Sequence, residues 1–456
     1  MAAPTVATGQ LTANTYLARA AQGYGLLAKR LLDGHYPTSS HTLGAEVEGS
    51  FFTGSGNPAF IANSVLASPG LPNDIVAELM ACHFEINVPA FSLAGRPFSQ
   101  FIATITQRLA ALTAAASQLN GRIGFMGIAP TMTARMLVAQ NYSANPRYHQ
   151  LRRWAAAQCP RTPNRLGAAG ANFKGDNRLD IEGANASLQV HLSVGADQLA
   201  GMFNAAHLAA PYVLAASGGS PYLLGERWGA ETRIPVFEQA TNDRAFFGDI
   251  WAKSALDPFR WSMTYSPILT PDIDPLSAFK LLHGTVWRWI RPVMFENALT
   301  LEIRPLSTGP TATDMAANAA FLVGLTLHYY QLITGITQNL ALARVKDSFY
   351  AAARNGLNAQ FSYNHHGTPQ HPTAVNEVLP QLVDEAQTAL IANGVDPAEA
   401  QAHLDVIRYR LANGQTAASW LGQTITRYGP QAATTHYLRQ SCGGLGPAVA
   451  TWPLSY

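Results

Sequence analysis

Apolar residues recur along this chain at two different periods. Between residues 11 and 33, Leu11, Tyr16, Leu17, Tyr24, Leu27 and Leu31 fall at roughly helical spacing, and the run stops at Asp33-Gly34, an ending a helix takes when glycine follows its last turn. Helical spacing returns at about 98–119, 197–216, 314–333, 338–353, 375–393 and 397–412. Four other segments, at about 43–52, 82–89, 187–195 and 298–306, alternate polar with apolar residues. Successive side chains of a strand point to opposite faces, so each of these predicts a strand with one buried face. The polar, His/Pro-rich stretch 362–373 predicts a loop. No internal repeat is present. Long helices with scattered strands and no βαβ rhythm predict an α+β fold with a curved, largely antiparallel sheet wrapped by helices.

Set side by side, the four strands share a face. Their period-two positions read Glu46/Glu48, Glu85/Asn87, Gln189/His191 and Glu302/Arg304, and the alternate positions read Ala45/Val47, Phe84/Ile86/Val88, Val190/Leu192 and Leu301/Ile303. One face packs on a core and the other carries oxygen and nitrogen ligands. Any single pair taken alone reads more readily as an ordinary solvated face, but such faces usually mix in lysine, and none occurs here. In the stretch GAEVEG, Glu46 and Glu48 point the same way and repel, so a positive charge should face them. Carboxylates with one imidazole suit a hard divalent cation, Mg²⁺ or Mn²⁺, held with a nucleotide. Arg304 would then offset the charge that develops on a transferring phosphoryl group. On this reading Glu302→Gln should preserve folding and lower turnover.

Composition narrows the partners. Charged residues make up 13% of the 456 and the net charge is +2 with no basic run, which excludes the electrostatic footprint of a nucleic-acid binder and favours small molecules. Three widely spaced cysteines, Cys82, Cys159 and Cys442, suit a reducing compartment better than a disulfide framework or a cysteine zinc site. The opening MAAPTVATGQ lacks a secretory pattern, and the apolar runs 205–216 and 316–333 are broken by His, Pro or Asn, so the expectation is a cytoplasmic protein without membrane association. Walker, CxxC, HExxH and GxSxG motifs are absent. TGSGN at 53–57 reads as a hairpin tip or a phosphate-covering loop. His365, His366 and His371 read as a polar surface loop or a metal site. In HGTVWRWIRP, Trp287 or Trp289 could stack a base, although alternate tryptophans on a strand usually bury one ring. Arg227, Arg233 and Arg244 could neutralise substrate carboxylates, with surface ion pairs the other reading of Arg227 and Arg244.

Several long stretches carry a family resemblance: GAEVEGSFF, AELMACHFEINVP, MGIAPTM followed by NPRYHQL, ANASLQVHLSV, ETRIPVFEQATNDR, HGTVWRW, LEIRPLSTGPTATDMAANAAF and ARNGLNAQF. Through them the chain resembles the glutamate-cysteine ligase-like carboxylate-amine ligases, whose catalytic fold is related to that of glutamine synthetase. The resemblance implies a single catalytic domain over 1–456, with a mainly helical part at 375–456 packed on it, and a polar concave sheet face as active site. It implies that ATP activates a carboxylate to an acyl phosphate, which an amine attacks to form an amide or γ-glutamyl-type bond. The implied metal ligands are Glu46, Glu48, Glu78, Glu85, His191 and Glu302. Glu78 rests on the resemblance alone, because PNDIVAELMA also reads as a helix with that residue facing solvent. Arg304 matches an arginine on the γ-phosphate and Arg233 one on a substrate carboxylate, so Arg304, Arg233 and Glu302 are the candidate catalytic residues, and Arg304, Gln189 and Trp287 the candidate cofactor contacts. Where relatives tend to carry Asn, this chain has His83, Gly219 and Ile290, which implies a changed substrate pocket and an amine other than cysteine. The expected partners are amino-acid and amine substrates, and a homo-oligomer is compatible with all of this. A guanidino-kinase-like phosphotransferase and a nucleotide- or metabolite-binding protein without turnover remain the alternatives.

Overall fold

The structure, a computed structural model, describes residues 10–37, 40–158, 177–242 and 244–455. The predicted strands are β1 (Thr42–Phe52), β3 (His83–Ser92), β5 (Ser187–Val194) and β9 (Leu299–Ser307), and to these the structure adds the short β2 (Ile75–Ala77), β4 (Arg122–Gly124) and β8 (Ile290–Met294). They form one sheet in the order β2-β3-β1-β5-β9-β8, with β4 paired to β1, and every pairing is antiparallel. The four strands recognised by alternation are therefore consecutive neighbours. Their register puts Glu48 opposite Glu85, Glu46 opposite Gln189, and His191 opposite Glu302. Directly opposed residues on one sheet face stand about 5 Å apart at Cβ, so the polar positions become one surface.

The other face is dry. Val47, Ile86, Val190, Leu192, Leu301 and Ile303 are all fully buried in a hydrophobic core shared with the helices Leu199–Ser217 and Ala312–Asn339. Both helices are long and apolar enough to cross a membrane by length and composition, yet 89% and 67% of their apolar windows are buried inside the fold. A helix that is apolar all round belongs in an interior. Against Ala312–Asn339 pack Val375–Ala392 and Pro397–Asn413, and the buried pair Arg410–Asp314, at 2.9 Å, ties the latter helix in. The last long helix, Ala417–Ser441, begins at a Thr416/Ser419 capping box and is interrupted at Gly429-Pro430, where Gly429 takes φ 80°. It packs its Trp420 and Tyr437 with Trp452 in a second apolar cluster.

Two segments differ from their sequence reading. The stretch at 362–373 is not a loop: after the two-residue strands β6 (Tyr222–Leu223) and β7 (Glu226–Arg227), the chain forms a further hairpin from β10 (Gln360–Tyr363) and β11 (Pro369–Ala374). Phe361 and Tyr363 are buried on one side of it, and Gly367 at φ 77° makes the turn; the histidines on the exposed side mask that alternation. PNDIVAELMA is likewise no helix, since Ile75–Ala77 pairs with β3 and Glu78 leaves the strand end. Cys82 and Cys442 are free thiols, and Cys159 lies outside the described residues.

Candidate active site

The polar face resolves into two trios. Glu48, Glu78 and Glu85 form one and Glu46, His191 and Glu302 the other; in each, one potential ligand atom per residue lies within 4.8 Å of the others. In the first trio, the Ser187 backbone N–H donates to Glu48 Oε2 at 2.6 Å, Ser187 Oγ to Oε1 at 2.8 Å and Gln189 Nε2 to Oε1 at 2.9 Å. Asn87 Nδ2 donates to Glu85 at 3.0 Å, and the Leu79 N–H to Glu78 at 3.0 Å. Fixed in this way the three carboxyls crowd one another. Burial, then repulsion from Glu48, Glu182 and Glu46, raises the Glu78 pKa well above the carboxylate range. Burial and repulsion from Glu46, Glu78 and Glu48 do the same to Glu85. Glu48 is also raised by burial, against the opposing hydrogen bonds of Ser187 and the charges of Arg233 and Arg304.

The second trio is balanced. His191 Nε2 lies 3.5 Å from Glu46 and 4.0 Å from Glu302, buried and, among the described residues, without a well-formed hydrogen bond, while Nδ1 is 3.3 Å from Thr300 Oγ1. Burial lowers the imidazole pKa, but Glu46 and Glu302 outweigh it and the net shift is upward. Glu302 accepts two hydrogen bonds from Arg291, Nε to Oε1 and Nη2 to Oε2, both 2.8 Å, and Arg304 Nε lies 3.6 Å away. Burial works to raise its pKa, and Arg291, Arg304 and His191 together hold it at about 2. Here the positive charge expected opposite the carboxylates is partly protein. Arg291 was not legible because β8 is short and carries its charge beside a proline; only the β8–β9 register, with Arg291 opposite Glu302, reveals it. The same contact argues against Glu302→Gln leaving folding intact, since the substitution removes the charge that pairs with a largely buried guanidinium.

Two arginines here carry N–H groups that find no partner among the described residues. Arg304 is buried with Nη1 unpartnered and its guanidinium 5.0 Å from the Phe237 ring. Arg233, first residue of the helix Arg233–Ala240, donates Nη1 to the Pro305 carbonyl at 3.2 Å and leaves Nε unpartnered. Beside it the buried Glu231 accepts from Ser307 Oγ at 2.5 Å, from the Gly219 N–H at 3.1 Å and from Ser220. Trp287 is half-buried with its ring 6.4 Å from Phe237, one aromatic away from Arg304. Trp289 is fully buried and donates Nε1 to Glu238 at 2.8 Å, so one indole of the pair is core as expected.

Glu182, on the turn Arg178–Ala184, belongs with these groups and was missed, having no strand to carry it. Burial and repulsion from Glu48, tempered by Arg304 and Arg233, push its pKa to about 8. Of the three departures from asparagine, His83 is buried with Nδ1 2.9 Å from Ser50 Oγ and Nε2 3.0 Å from the Gly183 carbonyl, and burial lowers its pKa to about 4. Gly219 adjoins Ser307, and Ile290 is fully buried in the apolar core, so Ile290 does not face a substrate. Arg227 is exposed on β7. Arg244 is no surface ion pair: it is buried, donates to the Thr285 and Ser266 carbonyls at 3.2 and 2.5 Å, and lies over the Trp154 ring at 4.8 Å. Residues 53–57 form a closed tip, with the Gly56 N–H on the Thr53 carbonyl at 2.9 Å. Among the described residues only the two trios bring three potential metal ligands together, so His365, His366 and His371 form no such group.

The sequence profile of glutamate-cysteine ligase family 2 matches residues 42–443, which takes in both trios, Arg233, Arg291 and Arg304. The chain belongs to glutamate-cysteine ligase family 2. It is an ATP-dependent carbon–nitrogen ligase acting on small amino-acid substrates. No curated protein sequence matches it. Among solved structures, the glutamate–cysteine ligase of Francisella tularensis in complex with AMP is similar at a TM-score of 0.55 and 12% identity, over 92% of this chain and 91% of that one, which establishes a shared α+β fold. A bifunctional glutathione synthetase from Pasteurella multocida matches at a TM-score of 0.49 and 11% identity, over 92% of this chain and 54% of that one. A glutamine synthase homolog matches at a TM-score of 0.33 and 12% identity, over 91% and 74% of the two chains.

Proposed function

We propose that this ligase joins an amino-acid carboxylate to an amine through an acyl phosphate, on a sheet face that holds Mg²⁺ or Mn²⁺ with ATP. The observation that carries the reading is the sorting of Glu46, Glu48, Glu78, Glu85, His191 and Glu302 into two trios with ligand atoms within 4.8 Å. The buried His191 Nε2, without a hydrogen bond between two carboxylates, fits a metal-binding nitrogen. Divalent cations at these trios would neutralise the triphosphate and the carboxylates at once. The AMP in the Francisella enzyme supports an adenine nucleotide.

The chain's own groups have distinct tasks in this reading. Arg304 directs its unpartnered Nη1 at the γ-phosphoryl group and offsets charge as it transfers. Arg291 holds Glu302 in its rotamer, and Ser187 and Gln189 hold Glu48. Arg233 binds a substrate carboxylate through its free Nε–H, braced by Glu231 and the Pro305 carbonyl. Trp287 flanks the nucleotide. The glutamate γ-carboxylate is the acid the resemblance favours, and His83 and Gly219 favour an amine other than cysteine. A screen of paired amino acids and amines with Mg-ATP, read by phosphate release and product mass, tests this. ATP consumption that requires both an acid and an amine, with an amide product, upholds it; phosphorylation of one acceptor without an amine overturns it in favour of a phosphotransferase. Cysteine emerging as the best amine would overturn the specificity alone.

A further inference from the structure

A second concavity opens away from both trios, between residues 227–230, residues 354–358 and the helices Val375–Ala392, Pro397–Asn413 and the start of Ala417–Ser441. Its volume is about 850 Å³, within the usual span of small-molecule sites. None of the sheet-face ligands lines it. In a chain with only 13% charged residues, this one wall gathers Arg227, Arg354 and Arg408 against a single carboxylate, Asp384.

The three arginines are not equivalent. Arg408 is engaged by Asp384 at 2.6 Å and Asp405 at 2.8 Å. Among the described residues the side chains of Arg227 and Arg354 have neither a hydrogen-bond nor an ion-pair partner. Arg227 lies against Gly422, close enough that a Cβ there would be in ordinary contact with its guanidinium at 3.4 Å. A smaller cavity of about 440 Å³, lined by Arg427, adjoins the far side of Arg227. Asn355, Asn358 and Asn376 add amides to the main cavity and Trp228 a half-buried indole.

We infer that this cavity binds a small organic anion bearing two or more carboxylate or phosphate oxygens, at a site separate from the sheet face. Guanidinium forks match such oxygens bidentately, and two exposed forks at the cavity wall, beside amides and a half-buried indole, can receive them. The floor leads towards the active site: the Ala230 and Glu231 N–H groups both donate to the Ala353 carbonyl, at 2.9 and 2.8 Å, and Arg233 follows two residues on. The inference rests on this cavity and not on the proposed ligase chemistry.

Calorimetric titration of the full chain, stripped of metal over a chelating resin, with citrate and separately with pyrophosphate tests it. The arginine substitutions separate heat from this cavity from any heat at the sheet face, where Arg233 and Arg304 lie. At least one probe should bind with a Kd below about 1 mM, and Arg227→Gln with Arg354→Gln should weaken it at least tenfold, whereas Arg19→Gln, on a distant exposed pair with Asp272, should not. Binding of citrate alone assigns carboxylate chemistry, of pyrophosphate alone phosphate chemistry, and of both a site selective for charge. Each single substitution is read as well, so that a double variant that failed to fold would not end the test. Failure of both probes to bind with a Kd below about 1 mM, or equal affinity in wild type and the arginine variants, overturns the inference.

Discussion

The two halves of the sheet face handle the same problem, crowded carboxylates, in opposite ways. In the trio of Glu48, Glu78 and Glu85 no cation among the described residues pairs directly with a carboxylate, and the pKa values of Glu78 and Glu85 rise well above the ordinary range. In the trio of Glu46, His191 and Glu302, Arg291 grips Glu302 in two hydrogen bonds and its pKa falls to about 2. The difference teaches that the fold balances the charge of one half within the protein, whereas in the other burial and mutual repulsion disfavour the charged carboxylates. Burial acts on both, and the local partner decides the sign.

The sharpest way to break this comparison is to remove metal. Exhaustive chelation should abolish ATP turnover and tight ATP binding, because triphosphate against five carboxylates is repelled; full turnover after chelation, measured by phosphate release, would refute the metal reading. Next in size is Glu302→Gln. Leaving Arg291 without its buried partner should cost about 3–5 kcal/mol in metal-free stability, read as a lower melting temperature, and turnover should fall at least about a hundredfold at saturating Mg-ATP. Near-normal kcat in a folded variant would remove Glu302 from the site.

Glu85→Gln sharpens the contrast. It relieves repulsion, so metal-free stability should hold or rise, within about 1 kcal/mol, while the stabilisation that added Mg²⁺ confers should shrink. Equal destabilisation by Glu85→Gln and Glu302→Gln, in parallel thermal melts, would erase the distinction between the halves. The smallest effect is in pH. Glu78 and Glu85 have folded pKa values above their unfolded ones, so the stability they contribute is present in mild acid and lost as pH rises through the folded values. Glu302 works the other way: its contribution is present above the unfolded carboxylate value and is lost as pH falls towards about 2. Metal-free protein should therefore lose stability as pH rises through the raised carboxyl values, that of Glu182 being about 8, and Mg²⁺ should flatten that slope. A metal-free profile that rises over the same interval would contradict the assignment.

How much was legible follows from the range of the signal. Strand alternation is local, so the polar positions of β1, β3, β5 and β9 could be read residue by residue, and the fold class followed from strands and helices without a βαβ rhythm. Glu78 and Glu182 lie on a strand end and a turn, where no periodicity marks a side chain's direction. Arg291 lies on a five-residue strand. Ile290 shows the converse: a family comparison placed it in a pocket, and the pleat turned it into the core.

By itself, then, the chain determined which residues could share a face, because a strand's two-residue period leaves little choice while one side must be buried. Which strands stand next to each other, and so which carboxylate meets Arg291 and which meets only other carboxylates, was decided by tertiary structure. Antiparallel pairing of β8 with β9 sets Arg291 opposite Glu302, and that of β3 with β1 sets Glu48 opposite Glu85, more than thirty positions away. Charge interactions at a few ångströms depend on those distances, and no pattern along the chain encodes them.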